Sequence, residues 1–391
     1  MNAISIITDE IKEQVKDVTD KIFSNPELGF EEKKAVAWQV ELLEKHGFNV
    51  EVPAGKLDTA FKASFGNEGP SFCFMSEYDA LPDIGHACGH NLIAGGALAA
   101  GITFKNILKK DNIPGRIVIM GCPAEEGKGG KLPLIKENAF AGIDAALICH
   151  PYNKTLTECG WLSVSRFNVS FRGKPAHASV SPWEGQNALD AAMLLFSGVN
   201  AWRQQLPEAS RVHGIINKGG SAPNIIPDYS ECFFYVRADN EKTHSMMEER
   251  FRRIAEGAAL MTDTSVECKR FDNAYASALY NRPLDEEYYK LANDAGLNPI
   301  MAERRGRGSS DFANVSQILP CINLFYGIAD KDISLHSVEF RDAAGSAHGF
   351  EQTMKTAGIM IDIAFRYITD KSFKEAVDQD FQKRIEADGV A

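Results

Sequence analysis

Two adjacent glutamates, Glu125 and Glu126 in the run Gly121-Cys-Pro-Ala-Glu-Glu-Gly127, are of a type and spacing suited to hydrolytic chemistry. In an extended segment neighbouring side chains point to opposite faces, so such a pair can divide its labour. One carboxylate can bind a metal ion while the other faces the water that the metal activates, a Lewis acid beside a general base. Further donors lie on either side. Cys88 and His90 form a Cys-Gly-His triplet upstream, Asp79 follows an apolar run at 71–75, and His150 closes another at 145–149. Thiolate, imidazole and carboxylate are the ligand set that zinc prefers. Cys88 falls close to a predicted helix start with Asn91 as its cap, a placement that favours the thiolate. Taken singly, each residue has another reading: a solvated Glu-Glu pair, a small core thiol at Cys88, a packed core histidine at His150.

The elements that must position these residues alternate between strand and helix. Ile4, Ile7, Ile11, Val15, Val18 and Ile22 recur every three or four residues and predict an N-terminal helix that stops at Asn25-Pro26. A second helix is expected over 31–46. Apolar runs at 71–75, 116–120 and 145–149 read as strands, with an Ala- and Gly-rich helix over 92–108. That alternation predicts a mostly parallel sheet flanked by helices. Open parallel sheets bind ligands beyond the carboxyl ends of their strands, where all the candidate donors would fall. After Trp161 the order becomes strand (164–171), helix (187–202), two strands (212–217 and 231–237), helix (241–260) and strand (265–271), a ferredoxin-like α+β unit. Helix and strand then resume, with a strand at 322–328 and a closing helix at 352–367. The expected organisation is a catalytic α/β domain from 1–162 and 278–391, interrupted by an inserted domain at 163–277. The charged tail from Lys371 reads as a fraying helix end.

Composition narrows the function classes. The chain has 391 residues, 44% hydrophobic and 24% charged, with a net charge of −11. The acidic balance argues against a nucleic-acid partner, because such binding needs Lys and Arg to neutralise phosphates. No apolar run reaches the ~18 residues of a membrane span, and the acidic first twenty residues do not read as a secretory signal. Eight cysteines, several in strand-like runs, read as reduced buried thiols and suggest a cytoplasmic protein. Of the other histidines, His46 and His244 read as solvated helix residues and His348 has no assignment.

The chain resembles the aminoacylase / carboxypeptidase G superfamily of dinuclear metallopeptidases. It is most similar to the amidohydrolase branch that includes plant auxin-conjugate hydrolases and aminobenzoyl-glutamate hydrolase. The resemblance runs through Asn25-Pro-Glu-Leu-Gly-Phe-Glu-Glu32, Glu77-Tyr-Asp-Ala-Leu-Pro82, His86-Ala-Cys-Gly-His90, Pro123-Ala-Glu-Glu126 and Gly173-Lys-Pro-Ala-His-Ala-Ser179. It continues in Gly219-Gly-Ser-Ala-Pro-Asn-Ile-Ile-Pro-Asp228, Ser309-Ser-Asp-Phe312 and His336-Ser-Val-Glu-Phe340, so it covers nearly the whole chain. It implies that Cys88, His90, Glu126, His150 and His336 hold two divalent metal ions, with Glu125 as general base and Asp79 orienting a ligand. It also implies that the inserted domain is a lid that mediates dimerisation, that His177 polarises the scissile carbonyl, and that Asn224 and Arg237 bind substrate. By itself Arg237 reads equally as a strand-end salt bridge, and His336 as a loop histidine. His86 and His213 lie in motifs of the resemblance, which implies that they support nearby sites. Two positions depart from the branch: Asn91 and Glu77 stand where relatives commonly carry Asp.

The activity this implies is hydrolysis of an amide bond in an N-acyl amino acid, an aryl amide or a short peptide. A dipeptidase or broader peptidase of the same chemistry is the first alternative, and a non-catalytic homologue that binds a small molecule is the second. The presence of Glu125 together with all five donor positions disfavours the latter. Cys88 makes zinc the first expectation, and manganese, which carboxylates and histidines also suit, the second.

Overall fold

The computed structural model describes residues 6–157, 159–270, 274–302 and 308–388. Ile4 of the first expected helix and Phe271 of the last expected strand of the inserted domain lie outside the described residues. Among the described residues the strands are β1 (Asn49–Glu51), β2 (Phe61–Phe65), β3 (Ser71–Ser76), β4 (Arg116–Gly121), β5 (Ala145–Tyr152), β6 (Leu156–Thr157), β7 (Ser163–Arg172), β8 (Arg211–Lys218), β9 (Tyr229–Ala238), β10 (Ser265–Arg270), β11 (Ile300–Met301) and β12 (Cys321–Gly327). The chain divides into two compact units. One comprises Met1–Cys159, Leu279–Arg304 and Ser310–Ala387, the other Gly160–Ala278, Arg305–Ser309 and Asp388–Ala391.

The first unit is built on an eight-stranded sheet of order β1-β2-β4-β3-β5-β12-β6-β11. Its centre is parallel, β4 with β3, β3 with β5 and β5 with β12, while β1, β2 and the β12–β6 pair run antiparallel. Every residue of β3 is buried, as expected of a parallel strand covered on both faces. The helix His90–Asp111 lies on this sheet. It has the length and hydropathy of a membrane span, yet 94% of its apolar window is buried inside the unit, which makes it a core helix. Gly96 allows its close approach, since a Cβ there would fall 2.3 Å from the Cys149 sulfur. The amphipathic helix Asp9–Ser24, capped by Thr8, buries Val15, Val18 and Ile22 and packs on it with Thr19 against Gly95, and Ala347–Thr369 packs on it too. The tail from Lys371 is not a frayed end: Lys371–Asp388 is a separate helix whose Phe373 and Val377 enter the core.

The second unit is an antiparallel sheet of order β10-β7-β9-β8 with the helices Ala188–Trp202 and Glu241–Met261. Strand β9 alternates strictly, burying Cys232, Phe234, Val236 and Ala238 against Phe167, Leu195 and Phe251. This is the ferredoxin-like arrangement that the element order predicts. His244 is buried between Glu241 and Glu248 rather than solvated as expected.

Candidate metal centre

Each donor of the first unit enters from the carboxyl end of a strand or the loop beyond it. Asp79 follows β3, Glu125 and Glu126 follow β4, and His150 lies in β5. Cys88 and His90 come from the start of the helix His90–Asp111, whose N-cap is Gly89 at φ +80°. A Cβ at Gly89 would meet Pro151 at 2.4 Å, so this turn requires glycine. Asn91 is therefore not the cap. It sits inside the helix and donates from Nδ2 to the Ala344 carbonyl at 3.0 Å. Glu125 and Glu126 are likewise not in extended chain. They occupy a tight turn that opens with Ala124 at φ +57°, a strained value for a residue with a Cβ.

The donors converge. Three overlapping triplets, Cys88–His90–His150, Cys88–Glu126–His336 and His90–Glu125–Glu126, each keep their ligand atoms within 4.8 Å of one another. Cys88 Sγ lies 3.6 Å from His150 Nε2. Glu126 Oε1 lies 4.0 Å from His90 Nε2 and 3.3 Å from His336 Nε2. Two donors on one ion at ~2.0–2.3 Å stand roughly 3–4 Å apart, so these spacings fit shared cations. The buried polar atoms test the same point. His90 Nε2 makes no hydrogen bond although it is shielded from solvent, an expensive state that a cation would relieve, and the shielded Glu126 Oε1 has His336 Nε2 at 3.3 Å.

Asp79 orients this set. It is buried and accepts from His90 Nδ1 and from the Glu126 backbone N–H, each at 2.9 Å, so one carboxylate positions both residues. Burial opposes its charge, but His90 and the Glu126 N–H hold its carboxyl below the usual range. An acceptor-only partner fixes a proton on His90 Nδ1, so Nε2 is the atom available to a metal. Burial opposes the ring's charge, but Asp79 and Cys88 hold its pKa well above the usual value, so a bound cation would displace a proton from Nε2. His150 is arranged similarly, with Nδ1 2.7 Å from the Pro151 carbonyl. Burial lowers its pKa to about 4, which keeps it a neutral ligand. For Cys88 the expectation of a stabilised thiolate is reversed: burial and the Glu126 carboxylate push its thiol well up, so a bound cation has to supply the compensating charge. His336 arrives from a loop at φ +62°, its backbone N–H held by the Ala87 carbonyl at 3.0 Å.

Glu125 lies among like charges. Desolvation, then Glu77, Asp311 and Glu126, push its carboxyl well above the usual range, opposed by Lys131. Lys131 is fully buried, with Nζ 2.6 Å from Glu77 Oε1 and 2.5 Å from Asp311 Oδ1. Ser310 Oγ donates to Glu125 Oε1 at 2.6 Å. On the other flank the buried Glu32 accepts from the Ala124 N–H at 2.8 Å and pins the strained turn. Roles for Glu32, Lys131, Ser310 and Asp311 had no signal in the sequence. Glu32 and Ser310 fall inside motifs that carried only the resemblance, and a lysine after two glycines reads as a surface residue.

The other three candidate residues belong to the second unit. His177 is exposed, its Nδ1 3.2 Å from Ser179 Oγ, on a segment that bridges to Ile225. Asn224, also exposed, accepts through its backbone carbonyl from the Ala178 N–H at 3.0 Å. Arg237 donates from Nη1 to Ser309 Oγ at 2.7 Å and stands 3.3 Å from His213 Nε2. No salt bridge to Arg237 occurs among the described residues.

A parallel sheet whose carboxyl edge gathers a thiol, three imidazoles and a carboxylate, with a second carboxylate beside them, defines the layout of a metal-assisted hydrolase. The chain belongs to peptidase family M20/M25/M40, whose model matches residues 73–356. It is 34% identical to the Xaa-Arg dipeptidase of Homo sapiens, over 97% of this chain and 91% of that one. It is 36% identical to a p-aminobenzoyl-glutamate hydrolase chain of Escherichia coli, over 73% of this chain and 63% of that one. Among solved structures, a dinuclear metal-binding peptidase of the M20 family from Bacillus subtilis superposes with a TM-score of 0.70 at 20% identity, over 91% of this chain and 99% of that one. The protein is thus an enzyme that hydrolyses amide or peptide bonds.

Proposed function

We propose that the centre binds two divalent metal ions and that the enzyme hydrolyses the amide bond of a dipeptide or an N-acyl amino acid. The observation that carries this reading is the convergence of Cys88, His90, Glu126, His150 and His336 with Glu125 beside them. Cys88, His90, Glu126, His150 and His336 would hold the ions, drawn from three overlapping triplets of which the third includes Glu125. When bound, such ions supply Lewis acidity to the scissile carbonyl and acidify the attacking water. Glu125 takes the water's proton as the new C–O bond forms, then delivers it to the amide nitrogen as the C–N bond breaks. Asp79 keeps His90 in the tautomer that presents Nε2.

A dipeptide is supported by the likeness to the Xaa-Arg dipeptidase, which spans almost the whole of both chains. An N-acyl amino acid is the second reading, supported by the likeness to the p-aminobenzoyl-glutamate hydrolase chain. His177 and Asn224 are assigned to substrate handling on the strength of their motifs, and Arg237 because it matches a substrate-binding position of the resembled family. Pairing of two copies through the second unit is supported by Ile215 and Ile216, which lie exposed on its edge strand β8.

The test is metal content measured alongside turnover, before and after chelation, on a panel of dipeptides with basic and neutral C-terminal residues, N-acyl amino acids and aminobenzoyl-glutamate. About two metals per chain, with turnover lost on chelation and restored by zinc or manganese, supports the reading. A protein that purifies without metal and takes up none refutes it.

A further inference from the structure

Glu125 has two carboxylate oxygens, and the structure treats them differently. Oε1 accepts the Ser310 hydroxyl at 2.6 Å. The Ser310 oxygen in turn accepts the Phe312 N–H at 3.2 Å, so its own proton is directed away from that N–H and towards Glu125. Ser310 is 4% exposed and its neighbour Asp311 is fully buried. Both oxygens of Asp311 are committed to Lys131, one to the backbone N–H at 2.9 Å and one to Nζ at 2.5 Å. The segment carrying Ser310 is therefore fixed at two points to the start of the short helix Lys131–Lys136, which follows Glu125 closely in the chain. The hydroxyl is held where it is by an ion pair, not by its own preferences.

We propose that Ser310 is a positioning residue for Glu125, set in place by the Asp311–Lys131 pair. By occupying Oε1 it leaves Oε2 as the oxygen that takes the proton from water. This rests on the reading of Glu125 as the general base. Without the Ser310 hydroxyl the Glu125 carboxylate can turn about its terminal bond, and part of the population no longer points an oxygen at the water. The loss falls on the chemical step and not on substrate or metal binding, because Ser310 is neither a proposed metal ligand nor among the residues assigned to substrate.

The experiment compares Ser310→Ala, Glu125→Gln and the unaltered enzyme, all loaded with metal, reading kcat, KM and bound metal by elemental analysis. Ser310→Ala is expected to lower kcat by roughly ten- to a hundredfold, the scale of one hydrogen bond to a charged group, with KM and metal content unchanged. A kcat equal to that of the unaltered enzyme overturns the proposal, and so does a loss that appears in KM or in metal content. Glu125→Gln separates this failure from that of the reading beneath it. If Glu125→Gln loses turnover while Ser310→Ala does not, Glu125 remains the base and only the positioning role falls. If Glu125→Gln turns over normally, the base assignment itself is wrong and the proposal falls with it.

Discussion

Asp79→Asn is the most informative single change at the centre, because it preserves shape while altering what two hydrogen bonds can do. In the native arrangement one oxygen of Asp79 accepts from His90 Nδ1 and the other from the Glu126 N–H, both at 2.9 Å. An asparagine has one acceptor and one amide donor. If its oxygen faces His90, its NH2 meets the Glu126 N–H, donor against donor. If it faces Glu126, its NH2 meets Nδ1 and drives the His90 proton onto Nε2, the atom a metal needs. In the first case one buried hydrogen bond is lost and a donor is left unsatisfied at about 1–3 kcal/mol. In the second both bonds persist without charge assistance, and the cost is the proton on Nε2 that a metal must displace. Part of that cost is present in the metal-free protein too, so the differential loss is expected at about 1.4–2.7 kcal/mol, or 10- to 100-fold in metal affinity, the range for partners that orient a ligand. The assay is competition for zinc or manganese against a chromogenic chelator, with the fold monitored by circular dichroism. Unchanged affinity in a folded Asp79→Asn protein would refute the claim that Asp79 orients the ligands.

Glu125→Gln should keep its metal and lose roughly 10²- to 10⁴-fold in turnover, the usual contribution of a general base; steady-state kinetics with metal analysis checks it. Lys131→Met removes the cation from between two buried carboxylates and is expected to destabilise the fold by about 3–5 kcal/mol, with partial recovery in Lys131→Met/Asp311→Asn, measured by urea unfolding of the chelated protein. Burial raises the pKa of Glu32 from 4.5 to about 7, so the folded state favours its protonated form. That contribution is full below about pH 4.5 and is lost as pH rises through 7. Relative to the native protein, Glu32→Gln should therefore gain about 3 kcal/mol between pH 5 and 8, while its amide oxygen still accepts the Ala124 N–H; a pH-independent difference in melting temperature would contradict this. His177→Ala should lower turnover with metal content unchanged, and unaltered kinetics would reject a role for it in turnover.

What the sequence made legible is what is local. Period-two alternation in β9, the apolar runs of β3 and β5, and the three-to-four spacing of Asp9–Ser24 are each set by neighbours within a few residues. The donors that follow strands could be placed for the same reason, since a parallel sheet sends them to one edge whatever its loops do. Donor geometry was not legible, because it depends on backbone conformations that residue type disfavours. Ala124 and His336 both adopt positive φ, a choice made by tertiary contacts from Glu32 and Ala87. Nor could the charge balance around Glu125 be seen. Lys131 and Asp311 are 180 residues apart, and in isolation each reads as a solvated surface residue. Their pairing follows from burial: in an interior crowded with Glu77, Glu125, Glu126 and Asp311, one protein cation offsets some of the negative charge that a metal site needs but a fold without metal tolerates poorly. Together with desolvation, the same crowding accounts for the raised Glu125. A fold that buries more carboxylates than its own cations can balance is one built to be completed by metal ions, and its stability should rise when they bind.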